Sequence, residues 1–381
     1  MTFRHGDANP RGTDLRSLSN GAMCRFAAHY VHTLGMANAL YLKGNDDVLS
    51  GLALFDLEEA NIRCGQRWAA DHRTDEQAVA ELCRDYSHVG AHVVNLRLSA
   101  AERIEWLEVA IEVCRELGDR RCEGIAVGNL GLAFLALGEL RNALGSFERH
   151  LALARECGDH RGEAAALANL GNVRRQSGDV QGAIACHEDA LVIAREIGDH
   201  RGEGAILGSL GLTHSSQGEF RRAIEYYERY LALARETGDR QGEGHALGNL
   251  GNAHRHLGEL EAALQFQEQR LLIAQELGDR LGQKHALGNL GSTYDALGKP
   301  SRAIDYHEQT IALSREIGDR QGEAIASNNL AGSLASVGQF DVAISHAEHA
   351  LSIFESIGSR HVEAVRNSLF EWRAASESKP V

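Results

Sequence analysis

From residue 119 to residue 358 the chain repeats itself every 40 residues without a gap, the units opening at Asp119, Asp159, Asp199, Asp239, Asp279 and Asp319. The shared pattern is GDR-x-GE-x3-ALGNLG-x6-LGE-x3-AI-x3-E-x2-LALARE-x-GD, and a seventh, partial unit starts at Ser359. A period of this size belongs to arrays in which each unit buries its apolar face against its neighbours. Two glycine rows punctuate every unit. Gly118 and its equivalents sit where a helix ends in a left-handed residue, and the Asp that follows is placed to cap the next helix. Gly138 and its equivalents end the first helix of the pair. The spacing predicts helix A over about 120–136 and helix B over about 140–157 in the first unit, repeated along the array.

The 3.6-residue period divides helix A into two faces. Val127, Leu130, Phe134 and Leu137 form the face expected to be buried, and Leu140, Leu144, Phe147 and Leu151 do the same for helix B. Ala143, Ala183, Ala223, Ala263, Ala303 and Ala343 hold one position throughout, where a small side chain lets two helices cross closely. Gly131, Gly171, Gly211, Gly251 and Gly291 serve the same close approach, although each costs about 1 kcal/mol in helix propensity.

The row of Leu-Gly followed by an aromatic or His, then Gly, then the invariant Ala, resembles the tetratricopeptide repeat. The usual unit of that family has about 34 residues; the longer variety here is similar to that of the spindle-orienting G-protein-signalling modulators and the kinesin light chains. The resemblance implies an all-α fold, a right-handed superhelical solenoid of antiparallel helix pairs. It also implies that the A helices line a concave groove able to hold extended or helical peptides. The proline that often closes helix B is absent, which fits a longer B helix.

Outside the array, residues 79–118 read as a degenerate repeat, 20–78 as an N-terminal helical region, and 359–375 as a capping helix. In that last helix Leu369, Phe370 and Trp372 are expected to cover the apolar end of the array. Residues 1–19 and 376–381 are expected to be disordered. The segment GLALFDLEEANIRCGQRWAADH resembles the stretch before the repeats of bacterial NB-ARC/STAND signalling ATPases. No G-x4-GK[ST] loop occurs, so the ATPase part itself is missing.

The net charge of −14 argues against a general nucleic-acid or anionic-membrane partner. No apolar run approaches the roughly 20 residues of a membrane helix. The seven cysteines include no C-x-x-C pair, which points to reduced thiols and a cytoplasmic setting. Basic residues are mostly Arg, with only four Lys, as in proteins from GC-rich bacterial genomes.

The face of helix A opposite the buried one is the informative side. Its first row is Arg121, Arg161, Arg201, Gln241, Leu281 and Gln321, and its deepest is Leu135, Arg175, Ser215, Arg255, Asp295 and Ala335. Between them, Gly128, Ala168, Gly208, Gly248 and Gly288 are expected to leave open space, with Asn172 and Asn252 in the row after. The charges of this stripe are mostly Arg inside an acidic chain. That inversion implies a partner segment carrying acidic residues or a free C-terminus. Beside the stripe runs an Asn row: Asn129, Asn169, Asn249, Asn289 and Asn329. A side-chain amide donates and accepts at once, as a peptide backbone does, and the resemblance implies that Asn here holds ligand backbone. The plainer alternative is that each Asn bonds the adjacent repeat and fixes its stacking. In ALGNLGNAHRHLGELEAAL, residues Asn249, Asn252, Arg255 and His256 are expected to face the cavity.

No catalytic, metal or cofactor site is assigned. His254 and His256 point different ways on a helix, and His214 and His254 lie one repeat apart, too far to share an ion. His187 and His307 sit where an aromatic normally packs and read as interior residues. The row Glu123, Glu163, Glu203, Glu243 and Glu323 lies in the first turn of helix A, where a carboxylate complements the helix dipole. The chain therefore reads as a non-enzymatic scaffold that holds a protein or peptide segment. Two alternatives stand: the sensor half of a STAND-type switch, and a peptide-sensing regulator that sequesters a transcription factor or kinase. Self-association, or filling of the groove by the chain's own N-terminal helices, stays open.

Overall fold

A computed structural model describes residues 19–43 and 46–377. The expected disorder of residues 1–18 and 378–381 lies outside the described residues. Among those described, every regular element is a helix. Five precede the array: α1 (Asn20–Lys43), α2 (Asp46–Asp71), α3 (Gln77–His88), α4 (Ala91–Arg97) and α5 (Ala100–Glu116). The A helices are α6 (Arg120–Ala136), α8 (His160–Gln176), α10 (His200–Ser216), α12 (Arg240–His256), α14 (Arg280–Ala296) and α16 (Arg320–Ser336). Their B partners are α7 (Leu140–Glu156), α9 (Val180–Glu196), α11 (Phe220–Thr237), α13 (Leu260–Glu276), α15 (Pro300–Glu316) and α17 (Phe340–Ser356), and α18 (Val362–Glu377) closes the chain. Residues 376 and 377, assigned from sequence to a disordered tail, are thus helical. The chain divides into two compact units, one ending at Val173 and one starting at Arg174.

In the first unit, α1–α5 pack around Leu34, Phe55, Ile62, Tyr86 and Trp106. Tyr86 is fully buried and its hydroxyl donates to the Ala27 carbonyl at 2.9 Å, which satisfies the one polar atom on that ring. The segment read as a degenerate repeat forms three helices, because the chain breaks at Gly90 and restarts at a Ser99–Glu102 capping box.

The caps of the array follow the sequence. Asp119, Asp159, Asp199, Asp239, Asp279 and Asp319 each accept a hydrogen bond from the backbone N–H three residues on. Gly118 and Gly238 take φ of 70° and 69°, where a Cβ would be strained. The six crossing alanines are all fully buried. Glycines of helix A face bulky residues of helix B in the same pair: Gly131 meets Phe147, Gly211 meets Tyr227, Gly251 meets Gln267 and Gly291 meets His307. The last pair has Ala331 and Ala347 instead, both fully buried. The volume at the crossing is shared differently between the two helices and stays filled.

Two expectations need correction. The small middle row is mostly covered: His150, Tyr230 and Arg270 of the B helices lie against Gly128, Gly208 and Gly248, and open space remains over Gly288. And Leu137, placed on the buried face, is 48% exposed, since it sits in the C-cap turn beyond the packed helix.

The Glu row does more than complement a dipole. Arg115, Arg155, Arg195, Arg235 and Arg315 end one B helix and pair with Glu123, Glu163, Glu203, Glu243 and Glu323 of the next A helix at 2.6–2.9 Å. These ion pairs bridge adjacent repeats. At the C-terminal end, Val365 and Leu369 of α18 are buried against the last pair and Trp372 packs beside them. Phe370 turns outward and is 77% exposed, so it takes no part in the cap.

Candidate functional site

One recess in the second unit is the space between α14 and α16, floored by α15. It is a cavity of about 430 Å³ whose lining includes Lys284, His285, Asn289, Thr310, Gln321 and Asn329. Its depth follows from the floor: Thr310 is a short side chain beneath Gly288. Asn289 and Asn329 occupy opposite walls at equivalent positions of successive A helices. A second recess of about 680 Å³ continues past Asn329 to Asp295, Ser333 and Trp372. There Ser333 Oγ donates to Asp295 at 2.7 Å, and His307 Nε2 lies 3.0 Å from the same carboxylate.

Lys284 stands where the other units have Gly or Ala. Its ammonium is 2.5 Å from Asp319, the N-cap of α16. Partial burial works to raise the Asp319 pKa, but Lys284 and the Gly322 N–H hold it below the usual carboxylate range. Desolvation between the walls, with the Lys284 and Arg270 cations, brings His285 down to about 4. Its imidazole is therefore neutral at pH 7.

The five residues of the Asn row, Asn129, Asn169, Asn249, Asn289 and Asn329, are all half-buried. None of these amides forms a side-chain hydrogen bond among the described residues, so they do not bond the adjacent repeat. Asn129, in the first unit, lines a small recess with Asn95, Arg103 and Trp106. Asn172 is also half-buried, whereas Asn252 accepts from Gln267 Nε2 at 3.2 Å. Arg175 and Arg255 are half-buried, and the Nε of each is closed off from solvent without a partner. Arg175 lies near His187, whose pKa burial and that cation lower to about 4. His187 and His307 are both fully buried, as read.

The remaining cations stand differently. Arg121, Arg161 and Arg201 are exposed. Arg121 donates to Asp159 at 3.3 Å and Arg201 to Gln241 at 3.5 Å, so these two bridge helix starts one repeat apart. His256 lies flat on Phe220 at the start of the preceding B helix, with ring centroids 4.7 Å apart. It is exposed and stacks at the repeat edge, away from the cavity between α14 and α16. Gln321 and His285 belong to the stripe opposite the buried face, whereas Lys284 and Arg270 lie outside it in the sequence pattern. The substitution of Lys into a row otherwise Gly and Ala was the available signal.

Comparisons with known proteins agree on the fold. Models described as tetratricopeptide repeat match residues 162–236 and 243–316, 209–274, and 126–161, which together span half of the chain. No curated protein sequence matches. Among solved structures, the chain is similar to BtubC (BKLC) from P. vanneervenii, at 22% identity and TM-score 0.53, over 58% of this chain and 93% of that one. It is similar to a signal transduction ATPase with numerous domains and a tetratricopeptide-repeat sensor from Pyrococcus horikoshii, at 16% identity and TM-score 0.60. That match takes in 93% of this chain and 55% of the other. A Rap protein complexed with competence and sporulation factor gives 12% identity and TM-score 0.55, over 93% of this chain and all of that one. At these identities the likeness is one of fold. No described helix is long and apolar enough to cross a membrane.

Proposed function

This chain belongs to the tetratricopeptide-repeat family, a protein-interaction fold, and from that premise we propose that it holds a peptide segment of a partner protein against its A helices. The observation that carries the reading is the free Asn row. Half-buried amides without an intramolecular partner are satisfied by water or by a ligand, and Asn289 and Asn329 present theirs from opposite walls of one cavity. Such a pair can accept from and donate to an extended backbone, while the cavity between them takes a side chain. Arg175 and Arg255 add positive charge on the same helix face, which suits a partner with acidic residues or a free C-terminus. In this reading the protein is a non-catalytic scaffold.

The test is capture of partners from a lysate by the full chain, compared with Asn249→Ala/Asn289→Ala/Asn329→Ala and identified by mass spectrometry. The variant is expected to lose the specific partners while keeping the helical circular dichroism of the parent. Equal capture by both proteins removes the groove assignment. The sensor half of a STAND-type switch is a second reading, supported by a fold likeness that extends over 93% of the chain. The same share is similar to a Rap protein complexed with competence and sporulation factor, which supports a peptide-sensing regulator equally. An NTPase reading frame beside the gene favours the first, and a small-peptide gene the second.

A further inference from the structure

The gap between α12 and α14 is the 40-residue equivalent of the cavity between α14 and α16, yet its floor is different. Where the cavity has Thr310, this gap has Arg270. A Cβ on Gly248 would lie 2.8 Å from both Cδ and Cζ of Arg270, so the guanidinium stem runs across the bare backbone of α12 at that glycine. Arg270 is half-buried, and desolvation is the main cause that lowers its pKa. It forms no hydrogen bond or ion pair among the described residues. The carboxylate that acts on it is Asp279, and the Oδ1 of Asp279 is held 2.8 Å from the Gly282 N–H as the cap of α14. A desolvated cation without a counter-ion is costly, and the neighbouring gap shows how this chain closes one: Lys284 is paired directly with Asp319.

Two imidazoles flank Arg270. His245 comes from α12 and His285 from α14, and both reach solvent. Each has its pKa lowered, by desolvation first and then by nearby cations, Arg270 for His245 and Lys284 followed by Arg270 for His285. Neutral at pH 7, each has one N–H to donate. Asn249 and Asn289 stand one turn further along the same two helices. We propose that Arg270, with His245 and His285 on either side, binds the carboxylate of an acidic side chain in the peptide that the groove holds. The assignment rests on the peptide reading above and places its acid-recognition point on a B-helix residue. Arg270 supplies two parallel N–H donors matched to a carboxylate, and the free Asn amides beside it are positioned for the flanking backbone.

The test uses the full chain and two acetylated, amidated octapeptides, one of alternating Glu and Ala and one of alternating Gln and Ala, read by fluorescence anisotropy. Wild type is expected to bind the Glu peptide about tenfold or more tightly than the Gln peptide. Arg270→Met should erase that preference and leave Gln-peptide binding unchanged, and Arg270→Lys should restore part of it. A folded Arg270→Met that keeps the preference overturns the assignment. So does inorganic phosphate displacing the Glu peptide at equal concentration, which would make this a simple anion site. If Arg270→Met fails to fold, Arg270→Lys with His245→Gln and His285→Gln carries the comparison: an undiminished preference there also overturns it. Binding of neither peptide by wild type removes the peptide reading, and this assignment with it. Loss of both peptides in Asn249→Ala/Asn289→Ala, with the Arg270→Met preference intact, removes this assignment alone.

Discussion

Of the six junctions that lead into an A helix, counting the one from α5, five are joined by Arg and Glu and one is not. At the junction into α14 both members are Gln: Gln275 replaces the Arg and Gln283 replaces the Glu. Gln283 compensates by donating to the Ala274 carbonyl at 3.1 Å. Nearby, Lys284 enters a row of Gly and Ala, and Pro300 begins the B helix at a position where proline costs no backbone hydrogen bond. The regular units repeat one solution to stacking. The divergent unit keeps the same backbone with a different set of polar side chains; it lines the open cavity, and the unpaired Arg270 stands on the last helix of the unit before it. Departure from the repeat, more than the repeat itself, marks where the surface is specialised.

The largest effect should come from the regular packing rule. Tyr227 is 2% exposed and fills the space over Gly211. Tyr227→Ala should cost about 3–5 kcal/mol, and adding Gly211→Ala should return about 1 kcal/mol, through helix propensity, by rebuilding the Ala331–Ala347 solution. In the divergent unit the same truncation, His307→Ala, should cost less, because it also removes a buried Nδ1 that has no partner. Urea unfolding followed by hydrogen exchange of the two pairs compares them. Equal costs at Tyr227 and His307 would break the distinction.

Next in size is the pair specific to the divergent unit. Lys284→Met leaves the half-buried Asp319 without its counter-ion and should cost about 2 kcal/mol. Lys284→Met/Asp319→Asn should recover most of this, since Asn can still cap α16. A double variant as unstable as the single one would mean that Lys284 acts by packing alone.

Much of this was legible beforehand, for a definable reason. Caps, helix ends and small-residue rows depend on residues within one turn of each other, so the one-dimensional pattern carries them. Gly118, Asp119 and Ala143 are of this kind. The Arg–Glu bridges join residues eight apart across a loop, and the Gly128–His150 contact joins two helices; neither follows from the period of one helix. Arg270 was missed because a B-helix residue facing its own partner helix is normally core. His256 was misplaced because its ring turns back to Phe220 only once the preceding B helix is in position. The free Asn amides could not be told from bonded ones by sequence, since the identity of the residue is the same in both cases.

The regular bridges themselves are expected to be worth less. Partial burial works to raise the Glu243 pKa, but Arg235 and Arg240 hold it below the usual value of 4.5. A lowered folded-state pKa contributes stability that is present above the unfolded value and is lost as pH falls through the folded one. Wild type should therefore lose stability below about pH 4.5, whereas Arg235→Gln/Glu243→Gln, which copies Gln275 and Gln283, should lose less over the same range. At pH 7 Glu243→Gln alone should cost about 1 kcal/mol, removing the carboxylate that Arg235 and Arg240 share, although Arg240 keeps Glu276. An identical acid response from the double variant would show that these bridges set spacing without contributing stability.

The smallest effect separates the two gaps most directly. Gly248 and Gly288 occupy equivalent positions in α12 and α14, but a Cβ on Gly288 would meet only Thr310 Cγ2 at 3.6 Å, an ordinary contact. Gly288→Ala should stabilise the protein by about 0.5–1 kcal/mol through helix propensity. On Gly248 the same methyl would press into the Arg270 side chain, which must shift before it fits. That displacement should cancel the propensity gain and move the guanidinium away from His245 and His285. Gly248→Ala is then expected to be neutral or destabilising and to weaken acidic-peptide binding, while Gly288→Ala leaves binding at the α12–α14 gap intact. Equal stabilisation by both substitutions, with unchanged preference for the Glu peptide, would mean that Arg270 is free to move and is not held across the glycine in a fixed pose.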